Sequence, residues 1–207
     1  MKYIVTTLLA ISALLMASFT STTEDIPAGY KPGDKATDFK LKNINDKIVS
    51  LADYSTAKGF IVVFTCNHCP YAIAYEDRVE AIDKKYASKG YPVIAINPND
   101  AASYPEDSFE NMKVRAKQKG FTFPYLYDDT QNIAKAYGAQ RTPHVYVLEK
   151  KGSDLIVQYV GAIDDNSQDA SAVKVKYLEN TVDELLAGKE VSTKETKAIG
   201  CSIKWKK

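Results

Sequence analysis

Two cysteines three residues apart, Cys66 and Cys69, are the side chains of this chain best suited to chemistry. They stand between a continuous apolar run, which predicts a buried strand, and a segment whose apolar residues have helical spacing. Two thiols at this spacing can close a small disulfide ring. The unpaired N–H groups and the positive end of a helix favour a thiolate over a thiol, so we predict a lowered pKa for Cys66. Cys66 is then the attacking sulfur, and Cys69, one turn into the helix, is the resolving one.

The two residues between the thiols, Asn67 and His68, are candidates for tuning the redox potential. A cation or N–H donor at His68 stabilises the thiolate and with it the reduced form, which makes the disulfide a stronger oxidant. The alternative is an exposed loop histidine with no such effect. The cysteine pair itself has two alternative interpretations, a structural disulfide and half of a zinc site. A four-ligand zinc site would need two further ligands from Cys201, His68 and His144, and we predict no metal site.

The composition restricts the function classes further. The 207 residues are 45% apolar and 26% charged, which is typical of a globular domain with its own core. The 27 Lys and Arg against 26 Asp and Glu leave a net charge of +1, without the basic excess of a protein that binds nucleic acid. Three cysteines are too few for a disulfide scaffold, and their odd number leaves at least one thiol unpaired within the monomer.

Cys201 is the cysteine outside the pair, in a C-terminal segment that regains apolar residues at Ile199, Ile203 and Trp205. A disposable tail is usually polar to its end, so this segment is predicted to dock on the domain. A free cysteine packed against the protein is one interpretation of Cys201. The other is a third redox thiol that reaches the cysteine pair, or a thiol that pairs with a second chain.

The N-terminus predicts export. Lys2 precedes an apolar run from Tyr3 to Phe19 with small residues after it, which is the pattern of a secretory signal. The run is short for a membrane span, and an uncleaved anchor is the alternative; only in that case is the membrane a partner. The predicted divisions are a signal at residues 1–22, a linker at 23–31, a domain at 32–187 and a C-terminal tail at 188–207. The predicted destination is the periplasm or cell envelope, where disulfides persist.

Alternation and helical spacing predict the elements that hold the cysteine pair in place. A hairpin is predicted around residues 43–46, and a helix with Asp107 and Glu110 as its capping signal is predicted to run to Lys119. The predicted strands are residues 36–42, 48–51, 60–64, 92–96, 124–127, 145–148 and 155–160, and the other predicted helices are 70–89, 130–137 and 170–187. Strands and helices in this order predict the α/β class, with a mixed central sheet flanked by helices.

These motifs resemble the thioredoxin superfamily, and within it the peroxiredoxin-like proteins of the redoxin branch, which includes the alkyl hydroperoxide reductase/thiol-specific antioxidant group. The resembling segments are Pro32 to Leu41, Phe64 to Tyr71, Tyr75 to Arg78, Asn97 to Asp100, Tyr104 to Phe109 and Phe123 to Leu126. The resemblance implies a thioredoxin-like fold over about residues 33–186, with Pro143 as a cis-proline beside the disulfide. It also implies that the backbone of Thr142 binds a substrate strand.

The chain departs from the family pattern in two respects. Peroxidatic cysteines of peroxiredoxins follow a P-x-x-x-[ST]-x-x-C pattern, which neither Cys66 nor Cys69 fits. The buried acid that thioredoxins carry six residues before the first cysteine is Phe60 here, so a proton shuttle must come from elsewhere. His144, next to Pro143, is similar to the distant histidine of thioredoxin-fold copper carriers, whose cysteines are spaced differently.

The sequence therefore predicts an exported thiol–disulfide oxidoreductase that needs no organic cofactor. Its expected partners are protein or small-molecule thiols and disulfides and a redox partner protein, and no nucleic acid. A peroxiredoxin-like thiol peroxidase with an antioxidant role is the alternative enzyme. A copper-binding or assembly protein that uses the same cysteines is the alternative without catalysis, since soft sulfur and imidazole ligands suit copper.

Overall fold

The computed structural model describes residues 29–207, so the signal predicted at residues 1–22 lies outside the described residues. A mixed sheet of eight strands runs through the protein, and two further short strands pair with each other. The strands are β1 (Lys35–Ala36), β2 (Lys40–Asn43), β3 (Ile48–Ser50), β4 (Gly59–Phe64), β5 (Val93–Asn97), β6 (Tyr125–Tyr127), β7 (Arg141–Thr142), β8 (His144–Lys151), β9 (Asp154–Gly161) and β10 (Cys201–Ser202). The helices are α1 (Pro70–Tyr86), α2 (Phe109–Lys119), α3 (Asn132–Tyr137) and α4 (Tyr177–Leu186).

The strand order in the large sheet is β1-β9-β8-β4-β5-β6-β2-β3. The central pairs β4–β5 and β5–β6 are parallel, and the pairs on either side are antiparallel, including the hairpin of β2 and β3. Every residue of β4 and β5 is buried, as the continuous runs of β-branched and aromatic residues require. The predicted α/β class, the mixed sheet and the N-terminal hairpin are confirmed.

The two faces of the sheet build two separate cores because successive side chains of a strand point to opposite sides. Ile61 and Val63 of β4 face α1, α2 and α4. Phe60, Val62 and Phe64 face α3 and the N-terminal strands. Helix α1, which begins next to the cysteines, therefore packs on one face of β4, which ends next to them.

Helix α1 begins at Pro70 and is tied to its surroundings by ion pairs of partly buried side chains. Glu76 accepts two hydrogen bonds from Arg115 of α2, at 2.7 and 2.6 Å. Arg78 donates to a carboxylate oxygen of Asp164, in the loop after β9, at 2.6 Å, and its guanidinium lies over the ring of Tyr75. Proline is favoured in the first helical turn, where its missing N–H costs no hydrogen bond.

Three of the predicted helices begin later than expected, and α3 begins at Asn132 instead of Thr130. The helix predicted from Asp107 begins at Phe109, and Ser108 caps it by accepting from the N–H of Asn111. Asp107 does not cap this helix, because its carboxylate points at the cysteine loop instead.

The prediction of one helix over residues 170–187 was also wrong. A short 3-10 turn covers Ala170–Ala172, and α4 covers Tyr177–Leu186. The residues between them are held by Asp165, whose carboxylate accepts from the N–H of Lys174 and whose N–H donates to the carbonyl of Val175. These contacts compete with the helical hydrogen bonds that the segment would otherwise make.

The first described residues pack on the domain. Gly29 and Gly138 both have positive φ and lie so close that a Cβ on either would overlap the backbone of the other. The N–H of Tyr30 donates to the carbonyl of Tyr137 at 3.0 Å, and the two rings meet edge to face at 5.0 Å. The end of the predicted linker is therefore in contact with α3.

The last twenty residues also lie against the domain. Strand β10 pairs with β7, Glu195 forms a bridge with Val160 of β9, and Ile203 is buried. The docking predicted for this segment is confirmed, although Ile199 and Trp205 remain largely exposed. Within residues 29–207, no helix has the length and apolar content needed to span a bilayer.

Candidate active site

The cysteine loop lies where β4 ends and α1 begins, as the sequence predicts. Cys69 is the residue that caps the start of α1, and Cys66 lies in the loop before it. The side chains are buried, with 2% of Cys66 and 0% of Cys69 exposed, and both are free thiols. The pair is thus held at the carboxyl ends of the parallel strands, where short loops bring residues from several strands together.

Thr142 contacts both sulfurs from the other side. The Cys66 thiol donates to Oγ1 of Thr142 at 3.3 Å, and the Cys69 thiol donates to its carbonyl oxygen at 3.1 Å. The Thr142–Pro143 peptide bond is cis, which the resemblance implied. The resemblance implied that the backbone of Thr142 binds a substrate strand. In this structure that backbone is already paired with β10, because Cys201 lies directly opposite Thr142.

The pKa shifts of the two thiols run opposite to the sequence prediction for Cys66. The hydrogen bond with Cys69, burial and the neighbouring Asp107 carboxylate raise the pKa of Cys66. The contact with Cys66 lowers the pKa of Cys69, and the Cys201 thiol and the N–H groups of Ala72 and Cys201 lower it further, against the effect of burial. The largest cause for both thiols is their contact with each other, which leaves the negative charge on Cys69, and Cys69 also occupies the N-cap position of α1, where anions are stabilised.

Asp107 is a buried carboxylate that holds the cysteine loop and that the sequence analysis assigned to a helix cap. One oxygen accepts from the N–H of Asn67 at 2.7 Å and of His68 at 3.2 Å. The other lies 2.5 Å from Nδ1 of His68 and accepts from Nδ2 of Asn99 at 2.7 Å. The Asp107 side chain is 0% exposed, so these four contacts determine where it points. The signal that could have revealed it is the polar loop after β5, rich in Asn and Asp.

The two residues between the thiols, Asn67 and His68, are each held by contacts with neighbouring elements. Asn67 accepts from the hydroxyl of Tyr125 at 2.9 Å and donates to the carbonyl of Glu106 at 2.8 Å. The ring of His68 stacks on Tyr104, with centroids 5.2 Å apart and planes 11° apart. Both residues are half-buried. The loop that carries Cys66 is therefore fixed by side chains from the loops that follow β5 and from β6.

Cys66, His68 and Asp107 form one cluster of reactive groups. Sγ of Cys66, a ring nitrogen of His68 and a carboxylate oxygen of Asp107 lie within 4.8 Å of one another. A thiol beside an imidazole that is oriented by a buried carboxylate is the arrangement that cysteine nucleophiles use, with the imidazole as base. Phe60 stands where thioredoxins carry a buried acid. In this structure a buried acid near the first cysteine, Asp107, comes from a different element.

A small cavity of about 20 Å³ lies behind Cys66, which is room for one water molecule. Its walls include Val63, Tyr75 and Tyr125, together with Glu76, whose carboxylate is occupied by Arg115. Glu76 is therefore a structural ion-pair partner, and Asp107 is the carboxylate available to the cysteine loop.

His144 lies away from the cysteines, contrary to the arrangement of the copper carriers. It is buried on β8 beside Tyr146, with ring centroids 4.9 Å apart, and its Nδ1 accepts from the N–H of Gln140 at 3.3 Å. Strand alternation accounts for this, since Val145 and not His144 faces α1. Within residues 29–207, the set of three close metal-ligating groups is Cys66, His68 and Asp107, which could provide three zinc ligands but does not include His144.

Comparison with known proteins agrees with this geometry. The thiol-disulfide oxidoreductase ResA of Halalkalibacterium halodurans is 25% identical over 122 residues, which are 59% of this chain and 65% of that protein. The chain thus matches less than two thirds of the length of that relative. The crystal structure of an uncharacterized conserved protein from Geobacillus kaustophilus is 40% identical, with a TM-score of 0.78, and the match covers 84% of this chain and 92% of the other.

A thiol:disulfide interchange protein of the thioredoxin family from Chlorobium tepidum shares the fold, with a TM-score of 0.57 at 20% identity. That match covers 77% of this chain and 99% of the other. The thioredoxin-like fold implied by the resemblance is confirmed. Residues 32–159, more than half of the chain, match the AhpC/TSA family, and the protein belongs to that family.

Proposed function

We propose that this protein is an exported thiol–disulfide oxidoreductase whose redox couple is Cys66 and Cys69. The observation that carries the proposal is the contact of both sulfurs with Thr142, at 3.3 Å to its hydroxyl and 3.1 Å to its carbonyl. Two thiols held against the same residue, at the start of one helix, are positioned to close a disulfide. The similarity to a relative named thiol-disulfide oxidoreductase supports the same activity.

Cys66 is proposed as the sulfur that meets the substrate. Cys69 is enclosed by Cys66, Ala72, Thr142 and Cys201, whereas Cys66 adjoins the half-buried loop of Asn67 and His68. Both sulfurs are buried, so Cys66 is assigned by its place in the loop before α1, although its pKa is raised. A thiol of raised pKa needs a base, and we assign that role to His68, whose ring has a nitrogen within 4.8 Å of Sγ of Cys66.

The proposed reaction begins when the Cys66 thiol gives its proton to His68, whose imidazolium the buried Asp107 carboxylate stabilises. The Cys66 thiolate attacks one sulfur of the substrate disulfide. The substrate S–S bond breaks, and the other substrate sulfur leaves with the electron pair and takes up a proton. A mixed disulfide between Cys66 and the substrate is left.

Cys69 then resolves this mixed disulfide. The Cys66 thiol no longer lowers the pKa of Cys69 at this stage, but the Cys201 thiol and the N–H groups of Ala72 and Cys201 still favour the Cys69 thiolate, which attacks the sulfur of Cys66. The second substrate sulfur leaves as a thiolate, and the Cys66–Cys69 disulfide forms while the substrate gains two electrons. In the reverse direction the same couple oxidises substrate thiols, and a redox partner protein restores the starting state.

Reduction of insulin disulfides with a dithiol donor tests the activity and the roles. We expect Cys66→Ser to abolish the reaction and Cys69→Ser to accumulate a mixed disulfide between Cys66 and the substrate. Mass spectrometry of the trapped species identifies the attacking sulfur. Trapping through Cys69 in the Cys66→Ser variant, at the rate of the wild type, would overturn the assignment of Cys66.

A thiol peroxidase is the second candidate because the chain belongs to the AhpC/TSA family. Hydrogen peroxide consumption with the same dithiol donor separates the two enzymes. An oxidoreductase should consume peroxide far more slowly than it reduces insulin disulfides. Peroxide consumption that exceeds insulin reduction, and that survives Cys69→Ser, would favour the peroxidase.

Export rests on the signal pattern of residues 1–22 and is proposed to lead to the periplasm or cell envelope. Cell fractionation with N-terminal analysis of the mature protein tests it. We expect an envelope fraction that contains a chain lacking the apolar run. A full-length chain in the cytoplasm would contradict the proposal.

A further inference from the structure

The segment that follows Cys201 is held against the domain by hydrogen bonds of its backbone. The N–H of Ile203 donates to the carbonyl of Gln140 at 3.1 Å, and the Ile203 side chain is buried. Lys204 donates its N–H to Asn99 at 2.9 Å and accepts from Asp100 at 2.9 Å. The position of Cys201 opposite Thr142 is thus part of a larger docked segment and not a contact of one side chain.

Gly200 permits the close approach of this segment. A Cβ at position 200 would overlap the carbonyl group of Thr142 and crowd the nitrogen of Pro143. No residue with a side chain can therefore occupy this place without pushing the segment away from the edge. A glycine directly before Cys201 therefore allows this cysteine to lie close to the redox couple.

The sulfur of Cys69 lies between two other thiols. Cys201 packs on the cluster formed by Cys66, Cys69 and Ala72, and it lies opposite Thr142, whose carbonyl oxygen the Cys69 thiol contacts at 3.1 Å. Cys69 is among the main influences on the pKa of both Cys66 and Cys201, which are not among the main influences on each other, so Cys69 is the middle sulfur of the three. A central sulfur with a thiol on each side is the arrangement that thiol–disulfide exchange requires.

We propose that Cys201 is a third redox thiol of this protein, which exchanges with the Cys66–Cys69 disulfide at the sulfur of Cys69. This inference rests on the proposed function, because that function supplies the disulfide. The Cys201 thiolate attacks Cys69, the Cys66–Cys69 bond breaks, and the Cys66 sulfur leaves with the electron pair. A Cys69–Cys201 disulfide forms, and the proton lost by Cys201 ends on Cys66 or in solvent. The step needs no oxidant, since one disulfide replaces another.

The charge on Cys69 controls when Cys201 becomes reactive. In the reduced protein, burial and the contact with Cys69 raise the pKa of Cys201 to about 11, which keeps it protonated. When Cys69 enters a disulfide, its negative charge is gone, while Lys204 and Arg141 still favour the Cys201 thiolate. Oxidation of the couple thus removes the part of the raised Cys201 pKa that Cys69 causes, while the part caused by burial remains.

The exchange has a structural consequence at the substrate edge. A Cys69–Cys201 disulfide fastens β10 covalently across Thr142 and returns Cys66 to the free thiol beside His68. A protein segment that would add as a strand along Thr142 is then excluded, whereas a small disulfide that needs only Cys66 is not.

Peptide mapping of disulfides after equilibration in a glutathione redox buffer tests the proposal. At a buffer ratio at which wild-type protein forms a disulfide, Cys66→Ser should carry the Cys69–Cys201 disulfide in most molecules. Cys69→Ser should form no intramolecular disulfide. Glutathione on Cys69 with Cys201 free, or two free thiols in Cys66→Ser, would overturn the proposal, as would a Cys66–Cys201 bond in Cys69→Ser.

Gly200→Val in the Cys66→Ser background separates docking from thiol chemistry. Because Cys201 then loses its fixed place beside Cys69, the yield of the Cys69–Cys201 disulfide should fall by about tenfold or more. Ser202→Ala, at the exposed neighbouring residue, is the matched control and should leave the yield unchanged. An unchanged yield in Gly200→Val would contradict the role of the docked segment.

Failure of the proposed function has a different signature. If the wild-type protein forms no disulfide at either Cys66 or Cys69 in any of these buffers, the couple itself is refuted. If that disulfide forms but Cys66→Ser forms none, only the role of Cys201 is refuted. Circular dichroism of each variant confirms that the comparison is made on folded protein, and mapping of partly oxidised wild-type protein gives the same information without a substitution.

Discussion

Nδ1 of His68 lies 2.5 Å from the buried carboxylate of Asp107, although the two residues are 39 positions apart in the chain. The same carboxylate accepts the N–H groups of Asn67 and His68. The orientation of the imidazole and the course of the cysteine loop therefore depend on one side chain, which the loop before α2 supplies. An isolated loop histidine would have no fixed position relative to Cys66.

Asp107→Asn should slow the reaction of Cys66 with iodoacetamide by about 100-fold near neutral pH, because losing the charge that stabilises the His68 imidazolium outweighs losing the charge that raises the pKa of Cys66. It should also cost about 1–3 kcal/mol of unfolding free energy, because the amide N–H₂ would face the donors of Asn99 or His68. The pH profile of alkylation separates the two effects, since a structural loss alone would not move its midpoint. Asp100→Asn, in the same loop, is the matched control.

His68→Ala should make the redox couple more reducing. The imidazole favours the thiolate and so the reduced form, and its loss should move the potential to more negative values by roughly 30 mV. We expect the wild-type couple to be more oxidising than the roughly −270 mV of thioredoxin. Equilibration with glutathione followed by alkylation and mass spectrometry measures both values. A wild-type potential at or below that of thioredoxin, unchanged in His68→Ala, would contradict the tuning role.

The buried His144 should lower the free energy of unfolding in mild acid relative to neutral pH. Burial, helped by Arg141, lowers the pKa of His144 from 6.5 to about 4. Between these values the unfolded chain binds a proton that the folded protein does not, so stability is full above pH 6.5 and declines as the pH falls toward 4. The whole shift corresponds to roughly 3 kcal/mol. Urea unfolding at pH 7 and pH 4.5 should show a smaller pH dependence in His144→Gln than in the wild type.

Gly138→Ala should destabilise the protein more than Gly120→Ala. Both glycines have positive φ, at 72° and 69°, so both substitutions carry the cost of a left-handed residue, about 1–2 kcal/mol. Only at Gly138 does the added Cβ also overlap the backbone of Gly29, whereas nothing lies within reach at Gly120. Urea unfolding measures the difference. Equal losses in the two variants would show that the contact between residues 29 and 138 contributes no stability.

Local signals in the sequence were sufficient for the elements that carry the cysteines. A continuous apolar run predicted β4, and Pro70 with the helical spacing after it predicted α1. Asp107 was missed because its spacing to Glu110 matches a helix cap, and nothing local distinguishes a carboxylate that caps from one that reaches another loop. The predicted direction of the Cys66 pKa shift was wrong for a similar reason, since it depends on the contact with Cys69, on burial and on Asp107.

Other features needed the tertiary structure for different reasons. Apolar residues predicted that the C-terminal segment docks, but its register opposite Thr142 depends on the close approach at Gly200. The face of His144 could have been predicted, because strand alternation from Val145 already separates it from α1. Sequence patterns do not predict contacts between distant loops, but they do predict which side chains of one strand share a face.

The ion pairs that tie α1 to its surroundings bear on what changes during a redox cycle. Glu76 with Arg115 and Arg78 with Asp164 hold the helix against α2 and the loop after β9, and Cys69 stands at its first turn. Closing a disulfide draws two sulfurs to about 2.05 Å, and a helix held in this way cannot slide to meet Cys66. The movement is left to side-chain rotation and to the short loop before the helix. The oxidised and reduced proteins then share one backbone framework, and a partner that binds the framework alone cannot distinguish them.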